Sequence, residues 1–213
     1  MSNRVTVGKN VVLDGRLALF HKSKRWLAVA DLHFGYEMSQ RAAGNLFPLW
    51  GMRTIETRLD DLLQDYAPRH LVLLGDLVHD GATAGELAEL LKKLRQCCEI
   101  VLIAGNHDRR LGKNIDLVDA WQNDGYYFHH GHCTTGPDDC VQIIGHHHPA
   151  GIVRDGAGLR LKLPAFVQQD GCWIMPAFSP WAGGTEWEQT PSTRMWLCSP
   201  QRILRLFPGS AGC

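Results

Sequence analysis

Apolar positions along the chain recur at two different periods. Residues 26–30 (WLAVA), 70–74 (HLVLL) and 99–104 (EIVLIA) are short apolar runs, the pattern of strands buried on both faces. Between them the spacing becomes helical. Residues 53–66 put Ile55, Leu59, Leu62, Leu63 and Tyr66 on one face, and Pro68 ends that helix. Residues 83–96 put Leu87, Leu90, Leu91 and Leu94 on one face, with Thr83 and Glu86 at the spacing of a capping box. RVTV, NVVL and RLALF read as short strands near the start, separated by Gly8 and Asp14-Gly15. Residues 109–123 read as loop and helix, and YYF (126–128) and VQII (141–144) as strands. After residue 150 the helical period stops, and LRLKL, CWIM, RMWLC and RILRLF read as strands joined by Gly- and Pro-containing turns. The pattern predicts one α/β domain over residues 1–213, without repeats, low-complexity segments or linkers.

Composition narrows this little. The 213 residues are 45% hydrophobic and 21% charged, enough for a sizeable core, and the formal net charge is zero. A nucleic-acid or membrane surface would therefore have to be local. The polar opening MSNRVTVGKN predicts no signal peptide, and the apolar runs are too short to span a bilayer. Seven irregularly spaced cysteines with no Cys-x-x-Cys predict reduced thiols and a cytoplasmic protein. The unusual count is eleven histidines, seven of them within residues 107–148.

Those histidines follow the strands. WLAVA runs into Asp31-Leu32-His33, HLVLL into Gly75-Asp76-Leu77-Val78-His79, and EIVLIA into Gly105-Asn106-His107-Asp108. YYF runs into His129-His130-Gly131-His132, and VQII into Gly145-His146-His147-His148. In open α/β sheets ligands collect beyond the carboxyl ends of strands. Oxygen donors from Asp and Asn with nitrogen from His suit a pair of divalent ions, Mn²⁺ first, with Zn²⁺ or Fe as alternatives. Read as extended chain, Asp31-x-His33 and His146-x-His148 would each aim two ligands the same way, with His147 facing elsewhere.

These motifs, in this order, resemble the calcineurin-like metallophosphoesterase superfamily over residues 26–150. The resemblance implies a four-layer αββα sandwich with two mixed β-sheets, the late strands supplying the second sheet. It implies Asp31, His33 and His148 around one metal, Asn106, His130 and His146 around the other, and Asp76 between them. It further implies a phosphoesterase that hydrolyses phosphodiester bonds by attack of a hydroxide bridging the two ions. His107 would be the acid for the leaving oxygen, oriented by Asp108. Where many members have Gly-Asp-x-x-Asp, this chain has Gly-Asp-x-x-His79, and GDLVH is similar to a motif of a nuclease branch whose His approaches the scissile phosphate. VADLHFG, LVLLGDLVH, IAGNHDRR, IIGHHHPA, LRLKLPAF and MPAFSPWAGG are similar to the ligase-associated (PdeM-like) group, although Trp181-Ala182-Gly183-Gly184 differs from its usual Phe-Thr-Gly-Gly ending. That group is associated with DNA repair and proposed to be nucleases, which implies DNA as substrate and repair proteins as partners.

Arg109 and Arg110, next to Asp108, are candidates for substrate phosphate, whereas Lys92-Lys93-Leu94-Arg95 alternates with a leucine stripe and reads as a solvated face. His132 reads as a neighbour of the ligands, His129 and His147 as structural or exposed, and His21 and His70 as ordinary. Trp181 and Trp187 could stack bases at the site rim or pack in the core. Three functions remain open: a metal-dependent nuclease, a hydrolase of small nucleotide phosphodiesters or pyrophosphates, and a non-catalytic interaction module. The oligomeric state is left open.

Overall fold

The computed structural model describes residues 3–108, 111, 115–132, 136–154 and 157–207. Two mixed sheets pack face to face. The first has six strands in sequence order: β1 (Arg4–Val7), β2 (Val11–Asp14), β3 (Ala18–His21), β4 (Trp26–Ala30), β5 (His70–Leu74) and β6 (Glu99–Ile103). The first four are joined by short turns and pair antiparallel, whereas β4, β5 and β6 are parallel. Parallel pairing needs crossovers. These are α1 (Tyr36–Ala42) with α2 (Gly51–Tyr66), then α3 (Ala84–Leu94). The leucine faces expected from the sequence are the buried faces of α2 and α3.

The second sheet holds β7 (Ala120–Asn123), β8 (Tyr126–His129), β9 (Val141–Ile144), β10 (Pro149–Arg154), β11 (Arg160–Gln169), β12 (Cys172–Ile174), β13 (Thr185–Glu186), β14 (Arg194–Cys198) and β15 (Ile203–Leu206). Alternation is visible within it. Ile143, Phe166 and Trp196 point into the main core with Trp26 and Phe128, while Ile144, Ala165, Val167, Met195 and Leu197 form a smaller cluster.

Two local expectations change, and one helix carries no signal in the sequence. Residues 120–123, read as part of a loop-and-helix region, are strand β7, paired antiparallel with β8 so that Trp121 lies against Phe128. Thr83 precedes α3 but makes no side-chain cap. Its hydroxyl donates instead to the Phe34 carbonyl at 3.1 Å, tying α3 to the loop after β4. Helix α1 was not legible, because Glu37 is its one buried residue and no apolar period marks it.

Register positions the site. Ala30, Leu74 and Ile103 are paired across the first sheet, so Asp31, Gly75-Asp76 and Gly105-Asn106 leave it at one edge. His129 pairs with Ile144, so His130 and Gly145-His146 leave the second sheet together. The two edges meet: Ala30 bridges Ala177, and Ser179 donates its backbone N–H to the Asp31 carbonyl at 3.2 Å.

Candidate metal centre

Two groups of ligand atoms form where the sheet edges meet: Asp31, His33 and His148, and Asp76, His130 and His146. Within each group the atoms lie within 4.8 Å of one another. His148 Nε2 is 3.4 Å from Asp31 Oδ1 and 3.4 Å from His33 Nε2. His130 Nε2 is 3.4 Å from Asp76 Oδ2 and 3.1 Å from Asn106 Oδ1, which brings Asn106 to the second group. The groups adjoin, with His130 Nδ1 3.8 Å from Asp31 Oδ1.

The backbone differs from the extended chain expected at the two x-separated pairs. Asp31, His33, Asp76, His146 and His148 all have left-handed φ, between 42° and 67°. Asp and His tolerate that region better than most residues, yet each such position carries strain of about 1–3 kcal/mol. Asp31 and His33 belong to one group, whereas His146 and His148 belong to different groups. His147 is exposed, as expected, with its ring 5.8 Å from Trp187.

Glycines clear the space. A Cβ on Gly75 would lie 2.2 Å from His130 Nδ1, and one on Gly105 would lie 2.1 Å from the Asp76 nitrogen. Hydrogen bonds then fix the carboxylates. Asp31 accepts the His146 backbone N–H at 3.0 Å, and Asp76 accepts the His107 backbone N–H at 2.9 Å. His130 Nδ1–H donates to the Leu74 carbonyl at 3.1 Å, which leaves Nε2 for the site.

The charges need a cation. Asp31 and Asp76 are 0% and 2% exposed, and among the described residues their ion-pair partners are histidines, not Lys or Arg. Buried carboxylates without a full counter-charge are costly unless they hold a metal. The buried His33 Nδ1 has no hydrogen-bond partner, and the close His33 and His148 nitrogens need a proton or a cation between them. Burial pushes the His33 imidazole down to about 4, so it is neutral and ligand-competent at neutral pH. Burial also opposes protonation of His130, but Asp76 and Asp31 outweigh it and raise its pKa. This mixed O/N donor set fits two divalent ions.

Beside the Asp31 group lies a cavity of about 160 Å³ lined by His33, His79, His107, His148, Tyr36 and Trp181, among others. His107 is exposed at its rim. Its ring is 5.6 Å from the His79 ring and nearly parallel to it. The expected contact between Asp108 and His107 is replaced. Asp108 is buried, and its carboxylate accepts backbone N–H groups of Leu77 at 2.8 Å, Val78 at 3.3 Å and Gly105 at 2.8 Å. It ties together the loops that carry Asp76 and Asn106, while His107 Nδ1 faces the His79 carbonyl at 3.3 Å. His132 is exposed, with its ring 5.2 Å from that of His130. His129 is buried, and its Nε2 pairs with Gln142 Oε1 at 3.0 Å. Arg109 and Arg110 lie outside the described residues. No described helix is long and apolar enough to cross a membrane.

Sequence reasoning from the motifs missed Glu37. Its buried carboxylate accepts the Trp181 indole N–H at 3.0 Å across 144 residues, a pairing that no local pattern signals.

Comparison with known proteins agrees with this geometry. The family described as calcineurin-like phosphoesterase matches residues 24–158. The crystal structure of the nuclease MPE from Pseudomonas putida is similar to this chain, with a TM-score of 0.75 and 28% sequence identity. The match covers 95% of this chain and 98% of that one. No curated protein matches.

Proposed function

The chain belongs to the calcineurin-like phosphoesterase family and is a metal-dependent phosphoesterase, and from that premise we propose that it hydrolyses phosphodiester bonds in nucleic acid, DNA first, at two divalent ions. The observation that carries this reading is the adjoining pair of ligand groups, each with one buried carboxylate and two histidines. Asp31, His33 and His148 would hold one ion, and Asn106, His130 and His146 the other, with Asp76 shared between them. When bound, two such ions supply Lewis-acid activation of water and neutralise phosphate charge.

The remaining chemistry belongs to the chain. A carbonyl only accepts, so the His79 carbonyl marks Nδ1 as the protonated nitrogen of His107 and leaves Nε2 for substrate. Protonated on both nitrogens, His107 can pass a proton to the leaving oxygen. His79 lines the same cavity and is assigned to the scissile phosphate. Asp108 holds the two ligand loops in register. Arg109 and Arg110 are assigned to the phosphate backbone of the substrate. The likeness to a nuclease supports nucleic acid over other diesters. A repair setting in the cytoplasm belongs to the same proposal by the sequence resemblance alone, and Mn²⁺ as the working ion by the mixed O/N donor set. The small cavity favours a second reading, small nucleotide phosphodiesters or pyrophosphates.

Chelator-stripped protein reloaded with Mn²⁺ separates the two. Cleavage of bis-p-nitrophenyl phosphate together with nicked or shortened DNA is the expected result. Diester cleavage that leaves single-stranded and duplex DNA intact would favour the small-nucleotide reading.

A further inference from the structure

Trp181 stands beside the proposed chemistry and outside the ligand set. It shares the cavity with His33, His107 and His148. Its orientation is fixed from behind. The indole N–H donates to Glu37 Oε2 at 3.0 Å, and Glu37, 1% exposed, accepts the Met52 backbone N–H through Oε1 at 2.7 Å. Met52 lies in the first turn of α2, where the free N–H groups and helix dipole favour a carboxylate. Gly51 makes room for the pair: an added Cβ would lie 2.1 Å from the indole nitrogen and 2.7 Å from Glu37 Oε2.

Core packing does not account for this. Trp181 is only half-buried. Trp50, whose ring centroid is 4.3 Å from it, is 44% exposed, and Leu49 next to Trp50 is 58% exposed. Burying a carboxylate is costly. Here that cost holds a partly exposed aromatic ring in one orientation at the mouth of a reaction cavity. A fixed indole face offers stacking to any nucleobase, and a base can use it only when it is free of its partner strand.

We propose that Trp181, backed by Trp50, is the surface on which an unpaired base next to the scissile phosphate stacks, and that Glu37 is the positioning residue that fixes the indole. This rests on the nucleic-acid reading above.

The test compares two chromogenic diesters with the Mn²⁺-loaded protein: thymidine 5′-(p-nitrophenyl phosphate) and the same ester with hydrogen in place of the base. The readout is the ratio of their kcat/KM values, to which a general loss of folding or metal contributes nothing. Wild type should favour the base-bearing ester by roughly five- to a hundred-fold, mainly through KM. Trp181→Ala should bring the ratio close to one, and Glu37→Gln should lower it in part. Trp181→Phe, which keeps an aromatic face, should retain most of it. Should Trp181→Ala fail to fold, Trp50→Ala on the exposed ring must still lower the ratio. A wild-type ratio near one, or a ratio that Trp181→Ala and Trp50→Ala leave unchanged, would overturn the proposal. Single-stranded DNA is assayed alongside. DNA left intact with a Trp181-dependent ratio would overturn the nucleic-acid reading while supporting the stacking surface.

Discussion

Adding one methyl group at Gly105 should disable the centre without touching a ligand. A Cβ there would lie 2.1 Å from the Asp76 nitrogen, 2.2 Å from its Oδ1 and 2.9 Å from its Cα, where ordinary contact begins at 3.4 Å. The obstruction is backbone, so no side chain can rotate away. Gly105 cannot retreat freely, because its own N–H is held by Asp108 at 2.8 Å. Asp76 would have to move by more than 1 Å, breaking its bond from the His107 N–H at 2.9 Å and the bond from the His33 N–H to its carbonyl at 2.8 Å. A misplacement of that size costs about 100-fold in rate. Overpacking should cost about 1–3 kcal/mol, a fall of roughly 3–10 °C in Tm for a chain of this length. The assay is kcat/KM on bis-p-nitrophenyl phosphate, with bound Mn²⁺ counted on the same sample. Gly85→Ala is the control, since an added Cβ in α3 meets nothing within 4 Å. It should leave activity unchanged and raise stability by up to ~1 kcal/mol. Gly105→Ala protein with full turnover and full metal content would refute the reasoning.

Other consequences are open to measurement. Replacing His107 with Ala should lower kcat by about 10²–10⁴-fold while leaving metal content intact; a parallel loss of metal would mean that the residue acts as a ligand. Asp14 is buried and accepts bonds from Arg16 at 2.7 Å and from Tyr66 at 2.8 Å. Burial opposes its ionisation, but those partners outweigh it and hold the carboxyl below its ordinary value. Its stabilisation is therefore whole above the unfolded pKa of about 4 and is lost as pH falls through the folded one. Asp14→Asn should cost about 3 kcal/mol at pH 7 and flatten the acid limb of the stability profile, which denaturant titrations from pH 7 to pH 2 would detect. Each Mn²⁺ ion, at a hundred times its Kd, should stabilise stripped protein by about 2.7 kcal/mol. That gain should shrink as pH falls from 7 to 5, because His130, whose pKa the neighbouring carboxylates raise, must lose its proton to bind, and thermal melts across Mn²⁺ concentration and pH would follow it.

The catalytic edge was legible because it is written locally. Each of five apolar runs stops at a polar residue or at a glycine followed by one, and register alone then gathers Asp31, Asp76 and Asn106 at one end of the first sheet. The helices around Leu59 and Leu91 were legible from one-sided burial. What sequence reasoning missed depends on contacts distant in the chain or on backbone geometry. The left-handed φ at Asp31 and His146 was not legible, and His146 and His148, which an extended reading aims at one site, belong to different groups. The family resemblance implied that Asp108 orients His107, but the carboxylate folds back onto the loop backbone. Strand β7 is four residues long and half-exposed, so neither period is visible in it. Glu37 and Trp181 are far apart in sequence, and pairing of residues 30–31 with residues 177–179 brings their segments together.

The proposed centre holds two ions in two separable ligand groups. Its most direct test is the number of Mn²⁺ ions bound per chain, counted by elemental analysis after equilibrium dialysis of stripped protein. Wild type should bind two, His148→Ala and His146→Ala one each, and the double variant none. One ion or none in wild type, or loss of both ions on removing either histidine alone, would contradict the account.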